Sequence, residues 1–382
     1  MGGPGWRDAA SGRRFPLALL LAAAMGGAGA VAHAWWRQRP VPVVVDLLLV
    51  GGAAWDPTSR NTAELFLEER PASRLRLVNQ FNHPEPPRSR VAIAALKRRG
   101  VHFFISTLPS SHALASLGEF RSGDALAINA ASASSALSGR DDYFLRVIPD
   151  VRQEQRAIAR AVHRLSDRRA NRQARRRLLV LQDTANPAYG NTALIAFRAE
   201  LEKLGGWQLE VRRLRLSEFN PRRDRGLLLG DWDATYILAG MFQPVIGNLS
   251  QLVHHHHPEA PILLTPWARS PAVIGNLGAA RAQTLLTSPF PARGRLPAVN
   301  RYIARFQRRF GYSPNAMSIS TRQALELLDQ ALASGARSPE EVKRFLLSPA
   351  EHRTSFGPVR FDAYGDHQAA FHVLTAAEDQ VP

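Results

Sequence analysis

LLVLQDTANPAYGNTALIAFRAELEKLGG, residues 178–206, is an apolar run of strand length, then a turn-rich loop holding Tyr189-Gly190, then an amphipathic helix ending in paired glycines. Ala193, Leu194, Phe197, Leu201 and Leu204 recur at helical spacing, while Arg198, Glu200, Glu202 and Lys203 fall on other faces, so the helix is expected to cover a sheet. One complete β-loop-α unit results. Ligands of open α/β sheets sit beyond the carboxyl ends of the strands, so the loop Gln182–Thr192 is where a small molecule would be met.

Upstream the alternation repeats. Val43–Val50 reads as a first buried strand opening at Gly51-Gly52, followed by a helix at Asn61–Arg70, a strand at Arg74–Val78, a helix at Ser89–Arg99 and a strand at Val101–Ile105. Ser110–Phe120 and Ala125–Asn129 continue the series. After Asp141–Val147 the pattern restarts with a helix at Arg152–Leu165, the unit above, strands at Leu209–Leu216 and Ala234–Leu238, a helix at Gln243–Val253 and a strand at Ile262–Leu264. The expected fold class is therefore α/β, with two doubly wound, Rossmann-like lobes. The last section differs: a strand at Thr284–Thr287, amphipathic helices at Ala298–Phe310, Thr321–Ala333 and Pro339–Leu347, then a hairpin through Tyr364-Gly365-Asp366. Contiguous strands alone would hardly complete both sheets, so the chain is expected to cross between lobes more than once.

Bulk properties narrow the function. A chain of 382 residues suits two domains, and 45% hydrophobic with 21% charged residues is a globular composition. With no cysteine there is no disulfide, thiolate metal site, cysteine nucleophile or lipid-bearing cysteine. The net charge of +17 comes from arginine, since lysine occurs only at Lys97, Lys203 and Lys343. The one dense run, Arg168 to Arg177, has no interleaved aromatic residue for base stacking, so nucleic acid is not the expected partner and a solvated face is. Residues 1–34 read as an export signal: a basic start ending in Arg13-Arg14, an apolar stretch from Phe15 to Val31, and Ala32-His33-Ala34 as a cleavage site. The competing reading is an uncleaved anchor over Pro16–Trp36. Either way the rest is expected in the periplasm.

Taken together, GRDDYFLRVIPD (139–150), the Tyr189-Gly190 loop, DATYILAG (233–240), PILLTP (261–266), RYIARFQRRFGYSPNAMS (301–318) and SFGPVRFDAYGDH (355–367) resemble the type I periplasmic solute-binding proteins, in particular the branched-chain amino acid and amide receptors of ABC importers. The resemblance implies a two-lobed receptor, residues 41–147 with 288–354 forming one lobe and 148–287 with 355–382 the other. Hinge strands would lie near Arg146–Asp150, Leu285–Pro289 and Thr354–Pro358. By position, Ser110 and Ser111 look like the loop that offers a hydroxyl and amides to a ligand carboxylate. Ala131, Ser132 and Ser134 resemble the second such loop, with Ala133 where a threonine is usual. Tyr189 falls on the family's cleft tyrosine, Phe242 or less clearly Met241 on a second aromatic position, and Trp267 where amino acid receptors place a glutamate for the ligand's ammonium group. A tryptophan ring is a weaker, less selective partner for a cation than a carboxylate, so amino acid binding is not implied. The loop Gly51–Ser59 is also shorter than usual.

Blander readings stand beside these. Ser110 and Ser111 could be helix N-caps, Ser132–Ser138 a turn region, Tyr189 a surface turn residue and Trp267 a plug between lobes. Four adjacent histidines, His254–His257, point in different directions on a helix end and are not read as a metal site. No G-x-S-x-G, G-x-x-x-x-G-K or H-E-x-x-H motif occurs, so no enzyme, metal or cofactor is expected. The expected function is capture of a small polar solute, an amino acid, amide or other carboxylate, by a monomer that presents it to a membrane permease of an ABC importer. The alternative is a sensory or scaffold envelope domain that keeps the fold without a ligand.

Overall fold

The computed structural model describes residues 40–46, 48–50, 54–78, 85–167 and 176–378; the expected export segment, 168–175 of the arginine run and parts of the loops at 51–53 and 79–84 lie outside the described residues. Val41–Val45 (β1), Leu75–Val78 (β4), Phe103–Ser106 (β5), Leu126–Asn129 (β6) and Phe144–Arg146 (β7) form one sheet in the order β4-β1-β5-β6-β7. Val44 lies opposite Phe104, Phe104 opposite Ala127 and Ala127 opposite Phe144, all in parallel register. Val43–Val45 and all of β5 and β6 are buried, as strands covered on both faces must be. The long apolar run Val43–Val50 is not one strand, however. It breaks after Val45, and Leu48–Val50 (β2) turns back to pair with Ala54–Asp56 (β3).

The second sheet runs β15-β12-β11-β10-β8-β9, from His372–Thr375 (β15), Thr284–Ser288 (β12), Ile262–Leu264 (β11), Ala234–Leu238 (β10), Arg176–Asp183 (β8) and Trp207–Leu214 (β9). It is parallel except where β15 returns antiparallel to β12. Thr58–Glu69 (α1), Pro86–Arg98 (α2) and Ser110–Ser116 (α3) belong to the first lobe; Val151–Asp167 (α4), Pro187–Leu204 (α5), Val245–His256 (α6) and Pro271–Gly275 (α7) belong to the second. In α5, Pro187 starts the helix with its fixed φ, the residues picked by periodicity as apolar are buried except the half-buried Leu204, and Gly205 closes it at φ 72°. Phe197 meets Tyr236 of β10 at a ring separation of 4.8 Å, fixing the helix on its sheet.

The chain then returns to the first lobe as Pro297–Phe310 (α8), Met317–Ala333 (α9) and Pro339–Leu346 (α10). Helix α9 is buried along nearly its whole length, between α1, α10 and the inner strands β5 and β6. Buried Arg322 of α9 bonds Glu69 at 2.6 Å and Glu326 at 2.9 Å, and stacks over the ring of Phe66. The segment Thr354–Pro358 lies in a tight hairpin between His352–Thr354 (β13) and Gly357–Val359 (β14), packed on α9. Residues 360–371 then run past Arg146 to β15, with Arg146 bridged to Asp366. That arginine is fully buried, bonding Asp366 at 2.7 Å and Ser138 at 2.6 Å.

Candidate functional site

Five of the sequence-singled loops leave the carboxyl ends of parallel strands and meet between the sheets. Ser110 and Ser111 follow β5, Ala131–Ser134 follow β6, the loop to Tyr189 follows β8, Phe242 follows β10 and Trp267 follows β11. This arrangement is what parallel sheets do with their loops, gathering them at one end.

On the first-lobe side, Asn129 organises the second loop. Its Oδ1 accepts from the amides of Ala131 (3.1 Å) and Ser132 (3.0 Å), and its Nδ2 donates to the Ser132 carbonyl at 2.9 Å. The Ser132 hydroxyl donates to the Leu108 carbonyl at 2.6 Å, stitching this loop to the one before Ser110, and the Ser110 hydroxyl accepts from the Ser134 amide at 3.4 Å. Ser110, Ala131 and Ser132 are fully buried and spent within the first lobe.

Ser111 and Ser134 instead reach the second lobe. The amide and hydroxyl of Ser111 both donate to Asn186 Oδ1 at 3.0 Å, and the Ser111 hydroxyl accepts from the Ala188 amide at 3.2 Å. The Ser134 hydroxyl donates to the Ala188 carbonyl at 2.6 Å and lies 3.3 Å from Thr192 Oγ1. Asn186 is held from behind by its own Nδ2, which donates to the Gly240 carbonyl at 2.9 Å.

The second-lobe side carries the aromatic wall. Trp267 stands edge-on to Tyr189 (6.1 Å) and to Phe242 (5.3 Å), and all three are buried in a cluster with Ala131, Ala133 and Met317 of the first lobe. Met317 and the alanines thus bring the first lobe against the rings. Behind the wall, the Tyr189 hydroxyl donates to both carboxylate oxygens of Glu154, at 2.8 and 2.9 Å. Gln155 Nε2 bonds the same carboxylate at 2.9 Å, while Gln155 Oε1 accepts from Tyr236. Burial pushes the Glu154 carboxyl up to about 8, outweighing the lowering by the hydrogen bonds from Tyr189, Thr287 and Gln155. Tyr189 is raised for the same cause, and by the neighbouring carboxylate. At the end of β8, burial likewise raises Asp183, whose oxygens accept from the amides of Ala185 and Leu216 and from Gln243 Nε2.

Sequence reasoning therefore missed Asn129, Glu154 and Asn186, each of which holds or joins the residues it did select. The histidine run lies apart from this region: His254 Nδ1 pairs with Gln283 at 2.6 Å and His257 Nε2 with the Leu228 carbonyl at 3.0 Å. Among the described residues no group of three or more histidine, aspartate or glutamate side chains is arranged to hold a metal ion.

No protein family model matches this chain, and no curated protein matches it by sequence. Solved structures do. A leucine-binding protein of Thermotoga maritima superposes with a TM-score of 0.74 at 19% identity over 87% of this chain and 94% of its own. A solute-binding protein of an ABC transporter from Rhodopseudomonas palustris, in complex with 3,4-dihydroxybenzoic acid, gives 0.75 at 14% over 88% and 92%. A branched-chain amino acid transporter substrate-binding protein of Streptococcus pneumoniae, in complex with isoleucine, gives 0.72 at 14% over 88% and 96%. The chain has the two-lobed α/β fold of the type I periplasmic binding proteins.

Proposed function

We propose that this chain is a non-catalytic solute receptor of the cell envelope, the substrate-binding component of an ABC importer, and that its solute is a small aromatic or aliphatic carboxylate without an ammonium group. Residues 41–147 with 289–359 act as one lobe and 148–288 with 360–378 as the other, closing on the solute; the β13–β14 hairpin, packed on α9, moves the last crossover from Thr354–Pro358 to residues 360–371. The observation that carries this reading is the pair of donors on Ser111: an amide and a hydroxyl already converge on a single carbonyl oxygen at 3.0 Å, and Ser134 bonds Ala188, two residues on from Asn186. That geometry suits a carboxylate oxygen without any arginine. Tyr189, Phe242 and Trp267 supply a wall of ring edges and faces for the apolar body of the solute. Trp267 offers no charge to an ammonium group, which favours the ligand type seen in the R. palustris structure over that of the amino acid receptors.

The test is a thermal-shift panel of the exported part of the chain against benzoate, 3,4-dihydroxybenzoate, propionate, leucine, acetamide and urea. A ligand at 100 times its Kd adds about 2.7 kcal/mol to the native state, which raises the midpoint by several degrees. Benzoates are expected to do so and leucine is not. A panel in which no carboxylate moves the midpoint would leave the second reading, a scaffold or sensory domain without solute. That reading draws its support from the hydrogen bonds that Ser111 and Ser134 make directly to Asn186 and Ala188.

A further inference from the structure

Asn186 stands one residue before helix α5, where asparagine ordinarily turns its side chain back to cap the helix; here it makes no such bond. Its side chain, 1% exposed, crosses instead to the other lobe. We propose that Asn186 is an internal ligand: its side-chain carbonyl occupies the position where Ser111 would hold a solute's carboxylate oxygen, and it keeps the lobes closed until a solute displaces it. This rests on the receptor reading for its solute arm alone; the closure itself stands on geometry.

The chemistry explains why the residue is an amide. Oδ1 accepts the two Ser111 donors of the first lobe, while Nδ2 donates to the Gly240 carbonyl of the second. An aspartate would set a carboxylate oxygen against that carbonyl, and an alanine would reach neither lobe. Gly240 is also part of the fit, because a Cβ there would sit 2.9 Å from Asn186 Cβ and 3.2 Å from the Tyr189 ring. The backbone carbonyl of Asn186 accepts the amides of Tyr189 and Gly190, so the main chain is anchored, and withdrawal of the side chain breaks its bonds to Ser111 and Gly240 alone. A solute carboxylate and the Asn186 amide thus compete for one pair of donors, and the fraction of molecules with Asn186 withdrawn scales the apparent affinity.

The chain lacks cysteine, so two labels can be placed unambiguously. Val91→Cys in the first lobe and Ile195→Cys in the second, 66% and 68% exposed, take spin labels for a pulsed distance measurement on protein unfolded, dialysed free of solute and refolded. The wild type is expected to show one narrow, short distance without added solute. Asn186→Ala, and Asn186→Leu as a variant that keeps volume, are expected to show a second, longer distance that benzoate at saturating concentration removes, with benzoate affinity raised about tenfold or more by loss of the competitor. Should Asn186→Ala fail to refold, judged by circular dichroism, Ser111→Ala removes the hydroxyl half of the same pair from the other side and is expected to show the longer distance in a smaller fraction of molecules. A longer distance that benzoate does not remove keeps the internal ligand and rejects the solute assignment. A distance distribution unchanged by both Asn186 variants, or already long in the wild type, overturns the proposal.

Discussion

Replacing Glu154 by glutamine gives a pH signature that can be worked from the structure. Glu154 is fully buried, the charge of Asp150 raises its carboxyl further, and the carboxyl is shifted from 4.5 to about 8. A carboxyl with a raised folded-state pKa binds its proton more tightly in the native chain than in the unfolded one, so its contribution is complete below the unfolded value and is lost as pH climbs through about 8. At about 1.4 kcal/mol per unit, the whole loss amounts to at most about 5 kcal/mol. Glutamine never ionises, matches the shape, and can still accept from Gln155 Nε2 while donating to the Tyr189 hydroxyl. The assay is urea unfolding of both chains, followed by tryptophan fluorescence at pH 5, 6, 7, 8 and 9. At pH 5 the two should agree within about 1 kcal/mol, and by pH 9 Glu154→Gln should be the more stable by about 3–5 kcal/mol. Other groups that titrate in this window, such as Asp142, raised to about 6 by burial, are common to both chains and cancel in the difference. A difference that stays flat from pH 5 to 9 would refute the argument that Glu154 is held protonated behind Tyr189.

Two further outcomes test the frame around the site. Asp366→Ala leaves Arg146 buried without its main partner, now at 2.7 Å, and should cost about 3–5 kcal/mol in urea unfolding; a loss under 1 kcal/mol would mean that the passage of residues 360–371 past Arg146 does not depend on this pair. In helix α6, Gly247→Ala would put a Cβ 2.7 Å from Asn276 Cβ and 2.9 Å from the Val273 carbonyl, so the crowding should outweigh a helix-propensity gain of about 1 kcal/mol and lower the melting midpoint. A raised midpoint would mean that α6 and α7 do not approach as closely as the structure places them.

The sheets were legible because a strand buried on both faces has to be an uninterrupted apolar run, and Ala234–Leu238 and Ile262–Leu264 are found where such runs stand in the sequence. The same rule misread Val43–Val50, since a run of one kind does not show a reversal; buried Asp46 follows the last paired residue, and the hairpin beyond it is equally apolar. Glu154 and Gln155 were hidden by periodicity for the opposite reason. Polar side chains in an amphipathic helix are assigned to water, and only the tyrosines of another helix and a strand, Tyr189 and Tyr236, turn these two inward.

The interlobe contacts show most clearly what local pattern can and cannot supply. The loop Gln182–Thr192 was visible as a candidate because ligands of open sheets sit beyond the carboxyl ends of strands, whereas Ser111 and Ser134 were singled out by the family resemblance. What each donor meets depends on a residue 75 positions away for Ser111 and 54 away for Ser134, a separation over which no local pattern acts. Asn186-Pro187 is, read locally, a helix start with its cap, and half of that is correct: the proline begins the helix while the asparagine abandons the cap for Ser111. The amide groups at the start of α5 are still satisfied, since Tyr189 and Gly190 donate to the Asn186 carbonyl and Ala188 donates to the Ser111 hydroxyl. Helix start and lobe contact therefore share one set of bonds: the Ser111 hydroxyl that donates to Asn186 also accepts from the amide of Ala188, and Tyr189 of that same first turn of α5 leads on to Glu154.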